Sequence, residues 1–524
     1  MNHRRIMRCA AGAVAVAAAV RHAAGLGAMR RTLATVDRLS PPEAPSEEET
    51  VAGIVHFVVP VLREQPHIRA AVDWFVPLLK QWPGSTLTLV TTARERAERI
   101  LIAEQIAARS VRQPHSVAVG MFPELADDEL RAVRCCLQRP GPVSAHEVAA
   151  ALDSVATTDQ VVDAVLADPA LAALPIRHVH YTGTGRKAAQ VNQAAAGLLR
   201  TPKPAYLAVY DIDSRPGPEL VERTWASIAA YAARQGSLPG VVQQSARFTS
   251  SGTSPHRWER ALCRGAARLQ TLWTLRREIP AFRRYTRAVL GGHGPLRMLA
   301  GGGALAQTVG HGLWVRLDVF DNLDGLPTYT VLDDLPFGFR ATVERVPVHV
   351  VDHTATAPGP EDARTLVEQG QRWFANYLDY SACWAEATRR GRGTPARRAT
   401  ALAAGWYRGA TWLARTPATV TCLYLLLWPS TRLPVRATAA IALWLGLVTP
   451  VGQLAVVEGK LLSPRERAQA SFELLLAYLV SSAGPALALV HPPARPGAER
   501  AMAPKTNRRP TPGANTSVTS REAR

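Results

Sequence analysis

The run Ala205-Tyr206-Leu207-Ala208-Val209-Tyr210, closed by Asp211-Ile212-Asp213-Ser214-Arg215-Pro216, decides the fold class. Its first part offers no polar position for a wet face, so it describes a strand buried on both sides, as in a parallel sheet covered by helices. Its second part sets two carboxylates, one residue apart, where that strand ends. Outward from it, similar strand texture returns at residues 53–62 (GIVHFVVPVL), 85–92 (STLTLVTT) and 176–183 (IRHVHYTG), then at 240–248 (GVVQQSARF), 312–320 (GLWVRLDVF) and 346–354 (VPVHVVDHT). Ala-rich helical stretches lie between these runs, and strands alternating with helices predict an α/β domain with a mostly parallel sheet. The stretch from about Ile102 to Leu174 has little strand character and reads as a helical insertion.

The chain has 524 residues, enough for two or three units of domain size. With 47% hydrophobic and 20% charged residues it is neither disordered throughout nor embedded throughout in a membrane, so its apolar residues must be concentrated. They gather after about Gly391. Residues 401–415 (ALAAGWYRGATWLAR) mix Trp, Tyr and Arg as interfacial helices do. Three uncharged stretches follow, at 416–431, 437–457 and 474–490; the middle one is long enough to cross a bilayer and the outer two are marginal, giving two or three spans. Lys460, Arg465 and Arg467 favour a cytoplasmic side for the connection that holds them. At the other end, an Ala/Val run from Cys9 to Val20 closes at Arg21 and reads as a signal-like or surface helix before a Pro/Glu-rich linker. The expected organisation is 1–50, N-terminal apolar helix and linker; 51–395, catalytic-sized α/β domain; 396–415, interfacial helix; 416–492, membrane helices; and 493–524, a disordered basic tail. The net charge of +19 would suit an anionic partner, yet it is almost all arginine in an Ala- and Pro-rich chain, so coding bias alone accounts for much of it. No recognised nucleic-acid-binding module supports a nucleic-acid partner, and none is expected. The six cysteines are scattered and suggest neither a disulfide framework nor a zinc site.

Three clusters could carry chemistry. Asp211 and Asp213 at a strand's carboxyl end could reach one hard cation, and equally could cap a helix and face water. Asp333-Asp334, opening Leu332-Asp333-Asp334-Leu335-Pro336-Phe337-Gly338-Phe339-Arg340, could supply a general base or a helix cap. Gln369, Arg372 and Trp373 share one face of a helix, so an amide, a guanidinium and an indole could line a cleft, or the indole could simply be core.

The order of these clusters resembles the family 2 glycosyltransferases, in the membrane-attached branch with cellulose and hyaluronan synthases and ceramide glucosyltransferase: Asp-x-Asp, then Asp-Asp-Leu-x-x-Gly-x-Arg, then Gln-x-x-Arg-Trp. Pro60-Val61-Leu62-Arg63-Glu64 resembles the family's P-x-x-N-E turn, and Lys187-Ala188-Ala189-Gln190-Val191-Asn192 its K-A-x-x-L-N helix. Gly310-His311-Gly312-Leu313-Trp314 resembles its acceptor-side loop. The resemblance implies a GT-A fold and an inverting transfer from a nucleotide-sugar donor to a lipid or membrane-associated glycan. It implies Mg²⁺ or Mn²⁺ on Asp211 and Asp213, and Asp334 as catalytic base. On the donor it implies Pro60, Glu64, Lys187, Asn192, Asp211, Gln369 and Arg372; on the acceptor, His311, Asp333 and Trp373. It further implies a multi-pass cell-membrane protein with a cytoplasmic catalytic domain. A processive polysaccharide synthase and a catalytically weakened sugar-binding membrane protein are the alternatives within this reading.

One departure concerns the nucleotide: where the family usually shows a base-binding Asp, this chain has Thr91-Thr92-Ala93-Arg94-Glu95, with Glu95 either a substitute or an exposed helix-start acid. Asp333 also stands where Glu is common. Other readings compete locally. Gly183-Thr184-Gly185-Arg186-Lys187-Ala188 fits a dinucleotide-binding turn, with Asp211 placed for a ribose. His178 and His180 could be a metal pair or packed rings. The eight arginines from Trp258 to Arg287 suit a helix on an anionic membrane or an ordinary amphipathic helix.

Overall fold

A computed structural model describes residues 3–36, 53–110, 125–139, 141–183, 185–201, 204–214, 216–250, 254–310, 312–457 and 460–492. Residues 37–52, with the Pro/Glu-rich linker expected before residue 51, and the basic tail expected at 493–524 lie outside the described residues.

All seven expected runs contribute a strand: β1 Ile54–Pro60, β2 Thr86–Thr92, β3 Ile176–Tyr181, β4 Ala205–Val209, β5 Val241–Thr249, β6 Leu313–Arg316 and β7 Val348–Pro358. They form one sheet in the order β3-β2-β1-β4-β6-β5-β7. β1 pairs parallel with β2 and β4, β2 with β3, and β5 with β7, while β6 runs antiparallel between β4 and β5. Burial on both faces is visible in β4 itself. Tyr206, Ala208 and Tyr210 enter one core with Phe57, Phe75, Trp225 and Trp314. Ala205, Leu207 and Val209 enter the other. The expected run 312–320 is a strand only to Arg316; Arg316 then pairs with Asp318 at 2.6 Å in the first turn of a short helix, Leu317–Asn322.

The N-terminal helix α1, His3–Leu33, continues through Arg21 instead of stopping there. Apolar residues resume beyond it, and the Arg21 guanidinium donates to the Thr411 carbonyl at 3.1 Å, so the charge has a partner within the protein. Helices α2 (Gln65–Gln81) and α3 (Arg94–Ser110) follow β1 and β2. The expected helical insertion is α4 (Asp127–Leu137), α5 (Ala145–Asp153) and α6 (Thr158–Leu166); α3, α4 and α5 share a satellite core around Ile106, Val133 and Val148. Then come α7 (Lys187–Ala196), α8 (Pro218–Gln235), α9 (Arg257–Trp273), α10 (Ile279–Leu290), α11 (Asp334–Val343) and α12 (Ala363–Arg389).

The C-terminal part is α13 (Pro395–Leu413), α14 (Arg415–Leu427), α15 (Leu433–Leu443), α16 (Thr449–Val457), α17 (Pro464–Val480) and α18 (Ala483–Val490). Among the described residues, three helical segments are long and apolar enough to cross a membrane: Cys9–Leu33, Leu433–Val456 and Pro464–Val490. The first of these extends beyond the expected apolar run Cys9–Val20. The expected stretch 416–431 also differs: its helix has 13 residues, about 20 Å at 1.5 Å per residue, and packs with α1 and α15 around Ala15, Cys422, Leu425 and Ala439.

Glycines bring these apolar helices against the sheet layer. A Cβ at Gly265 of α9 would lie 1.9 Å from the Glu473 carbonyl oxygen of α17, and one at Gly484 of α18 would lie 2.6 Å from the Gln371 nitrogen of α12. Arg264 and Arg268 of α9 both pair with buried Glu473. The first part of the arginine-rich segment is thus an amphipathic helix whose apolar face, with Leu262, Ala266 and Leu269, is buried in the protein.

Candidate active site

The carboxyl ends of β1 and β4 open into a cavity of about 940 Å³ whose walls carry all three clusters. Asp211 and Asp213 follow β4 in a turn in which Ser214 N donates to Asp211 O at 2.8 Å, and both line the cavity. Pro60 ends β1 and Glu64 immediately precedes α2, and both line it as well. Between them Arg63 takes φ +56°, a left-handed conformation that Asn adopts far more readily, at the position where the resembled turn carries Asn. Arg63 is held there by buried Glu98 at 3.0 Å.

Lys187, at the start of α7, donates to Asp211 Oδ1 at 2.8 Å and to the Gly310 carbonyl at 3.3 Å. Burial alone would lower its pKa, but Asp211, Asp333 and Asp334 outweigh that and raise it, so it is a fixed positive charge. Asp334 opens α11 with its carboxylate at the cavity wall. Oδ1 accepts from its neighbour Leu335 N at 2.8 Å and from Asn376 Nδ2 at 3.2 Å. Burial first, and then the charge of Asp333, push its pKa up, while Leu335 N–H, Lys187 and Asn376 restrain the rise. A Cβ at Gly310 would sit 3.3 Å from Asp334 Oδ2, so the glycine keeps that oxygen uncovered.

On α12, Gln369, Arg372 and Trp373 also face the cavity. Gln369 Oε1 accepts from Gln270 at 2.8 Å. Burial lowers the pKa of Arg372, against the opposing charges of Glu368 and Asp211, which places its guanidinium within electrostatic reach of the Asp211 carboxylate.

Two residues stand elsewhere. Asn192 is absent from the cavity wall: its amide donates to Leu326 O at 2.9 Å and accepts from Leu326 N at 2.8 Å, clamping the loop that leads towards Asp333. His311 lies outside the described residues. Arg340 of the Asp-Asp-Leu motif turns inward and donates to the carbonyls of Leu323 and, at 3.0 Å, Gly325. Glu95 is neither an exposed acid nor part of the cavity wall. It is buried, accepts from Thr158 N at 3.0 Å and pairs with Arg99 at 3.4 Å, joining α3 to the insertion. The rings of His178 and His180 both share Thr91 Oγ1, at 2.7 and 3.0 Å, and no metal-ligating group of three or more His, Cys, Asp or Glu exists among the described residues. In the competing dinucleotide reading Asp211 would face a ribose; here it faces Lys187.

Sequence reading missed Asn376, which holds Asp334. Its signal was available, because Asn376 follows Arg372 by four and Trp373 by three on the same helix. Asp379 continues this face and accepts from Val331 N at 2.8 Å, fixing the loop before Asp333.

No family's sequence profile matches the chain. No curated protein matches it in sequence. Among solved structures, it is similar to a mannosyltransferase from Pyrobaculum calidifontis, determined in complex with GDP-Man and Mn²⁺, at 14% identity and a TM-score of 0.38 over 92% of this chain and 99% of that one. A likeness that loose brings no chemistry with it.

Proposed function

We propose that the protein is a membrane-bound, inverting GT-A glycosyltransferase of the family 2 type, moving a hexosyl group from a nucleotide-sugar donor to a hydroxyl of a lipid or membrane-associated glycan. One observation carries this: Asp211 with Asp213, Asp334, and Gln369 with Arg372 and Trp373, distant in sequence, line a single cavity. In this reading residues 51–395 are the catalytic domain, facing the cytoplasm, and the apolar helices anchor it in the cell membrane.

The two carboxylates suit Mg²⁺ or Mn²⁺, a hard cation commonly held by one or two acids with substrate phosphates completing its shell. When bound, the ion would supply positive charge against the diphosphate leaving group. Lys187 and Arg372 add to that charge from the protein side, in a cavity where water does not screen them fully. Asp334 takes the proton of the acceptor hydroxyl as its oxygen bonds to the anomeric carbon and the bond from that carbon to the diphosphate breaks. A carboxylate with a raised pKa is a stronger base for this step. Trp373 offers an aromatic face to a sugar ring.

Membranes holding the protein, incubated with radiolabelled UDP-, GDP- and dTDP-sugars with and without EDTA, should transfer label from one donor to an extractable acceptor. Asp334→Asn should lower the rate by on the order of 10²- to 10⁴-fold. No donor consumed, or an Asn variant as fast as the parent, refutes the reading.

A further inference from the structure

The same cavity continues away from Asp211 towards the apolar helices, and there its wall changes character. Arg21 of α1, Arg277 of the Thr274–Glu278 turn, Arg284 of α10, Arg408 of α13 and Arg415 of α14 all line it. Their hydrogen bonds go to neutral groups: Arg21 to Thr411 O, and Arg408 to Gln307 Oε1 at 2.8 Å and Leu305 O at 3.0 Å. Among the described residues none of the five is ion-paired, whereas Arg264 and Arg268 nearby on α9 share Glu473. Arg284 Nε is buried without a hydrogen-bond partner. The pKa of Arg284 is lowered by burial and then by Arg408, Arg277, Arg287 and Arg31, all like charges. Glu278 also lines this part; its carboxyl accepts from Ser245 at 2.6 Å and burial pushes its pKa up to about 7, so near neutral pH it carries only part of a charge against five guanidiniums.

Several half-buried guanidiniums converging without an ion-pair partner are unfavourable unless an anion joins them. Guanidinium forks match phosphate oxygens in particular. The set is also tied to the base: Arg408 holds Gln307, Gln307 donates to Tyr377 Oη at 2.6 Å, and Tyr377 adjoins Asn376, which holds Asp334. Neither Lys187 nor Arg372, the cations beside Asp211, belongs to it. Ala477, Val480 and Gly484 of the candidate membrane span Pro464–Val490 line the cavity too.

Resting on the transferase reading above, we infer that this arginine cluster is the acceptor subsite for a phosphate-bearing lipid, whose phosphate ester it holds while a headgroup hydroxyl meets Asp334 and the hydrocarbon leaves among the apolar helices. The atoms balance as in the transfer already described, and the lipid phosphate itself is not broken.

The test uses the full chain in neutral detergent and reads binding without any nucleotide sugar, from quenching of intrinsic tryptophan fluorescence. The probes are hexadecyl phosphate, hexadecanol and inorganic phosphate. Hexadecyl phosphate should bind at least about tenfold more tightly than either of the others, as expected for loss of one charge-assisted contact or more. Arg284→Gln and Arg277→Gln should each weaken it by about tenfold, with Arg284→Lys recovering part of the loss and so excluding misfolding. Equal binding of the alcohol, equal binding of inorganic phosphate, or Gln variants that bind like the parent overturn the inference. Failure of the transferase reading looks different: alkyl phosphate binds as expected and no donor sugar is consumed.

Discussion

Replacing Asn376 with Leu should move the pH profile of the proposed sugar transfer in a direction the geometry fixes. Asn376 is 1% exposed, and its amide nitrogen lies 3.2 Å from Asp334 Oδ1, so it stabilises the charged carboxylate and not the neutral acid. A hydrogen bond to a charged group contributes about 1.5–3 kcal/mol. The contact is at the long end of the normal range, so about 1.5 kcal/mol is the better figure. One pKa unit corresponds to about 1.4 kcal/mol, so losing the contact should raise the pKa of Asp334 by about one unit. A general base works only when ionised, and the rate therefore falls as pH drops through its pKa. In the parent that acid limb should already lie above the ordinary aspartate value of about 3.9, because burial and Asp333 raise it. In Asn376→Leu it should lie about one unit higher still, with the plateau at high pH largely retained. The assay is kcat/KM for sugar transfer at saturating acceptor from pH 4 to 9, on variants whose thermal melting shows an intact fold. A limb that stays in place, or moves to lower pH, refutes the assignment of Asp334 as the base that Asn376 holds.

Lys187→Met removes the ammonium 2.8 Å from Asp211, and donor KM should rise by on the order of tenfold or more, with acceptor KM nearly unchanged in initial-rate kinetics. Gly265→Ala puts a Cβ 1.9 Å from the Glu473 carbonyl and should lower the melting temperature of the detergent-purified protein by several degrees; Gly217→Ala, with nothing within 4 Å, is the control and should not. Asn192→Ala leaves the Leu326 backbone groups without partners, so it should cost about 1–3 kcal/mol in chemical denaturation while donor KM changes little, which separates a clamp from a donor ligand.

What could be read from the sequence was governed by how local the cause is. The alternation of β4 between two cores follows from six consecutive residues, and Tyr206 and Leu207 point to opposite layers as a two-sided buried strand requires. Asp211 and Asp213, Asp333 and Asp334, and the α12 face were equally local, because each is a short spacing on one element. Roles decided by a distant partner were hidden. Asn192 and Arg340 carry the residue types of a binding motif, yet both are consumed by carbonyls and amides of the loop at 323–326. Glu95 stood as a helix-start acid until the insertion helices covered it. Arg21 read as the end of an apolar run because the group that receives it, Thr411, is 390 residues further along.

Arg21 also explains why charge composition was uninformative here while charge placement was not. An arginine excess spread by coding bias should sit on the surface, each guanidinium solvated or loosely paired, as Arg364 is with Glu368 at 74% and 51% side-chain exposure. Coding bias has no means of turning arginines from α1, α10, α13 and α14 into one cavity without an ion-pair partner for any of them among the described residues. Such an arrangement survives in a folded protein only when something else compensates its self-repulsion and desolvation. On the inference drawn above, the compensating group is a lipid headgroup phosphate, which is anionic and can carry an apolar tail towards the helices that line the far side.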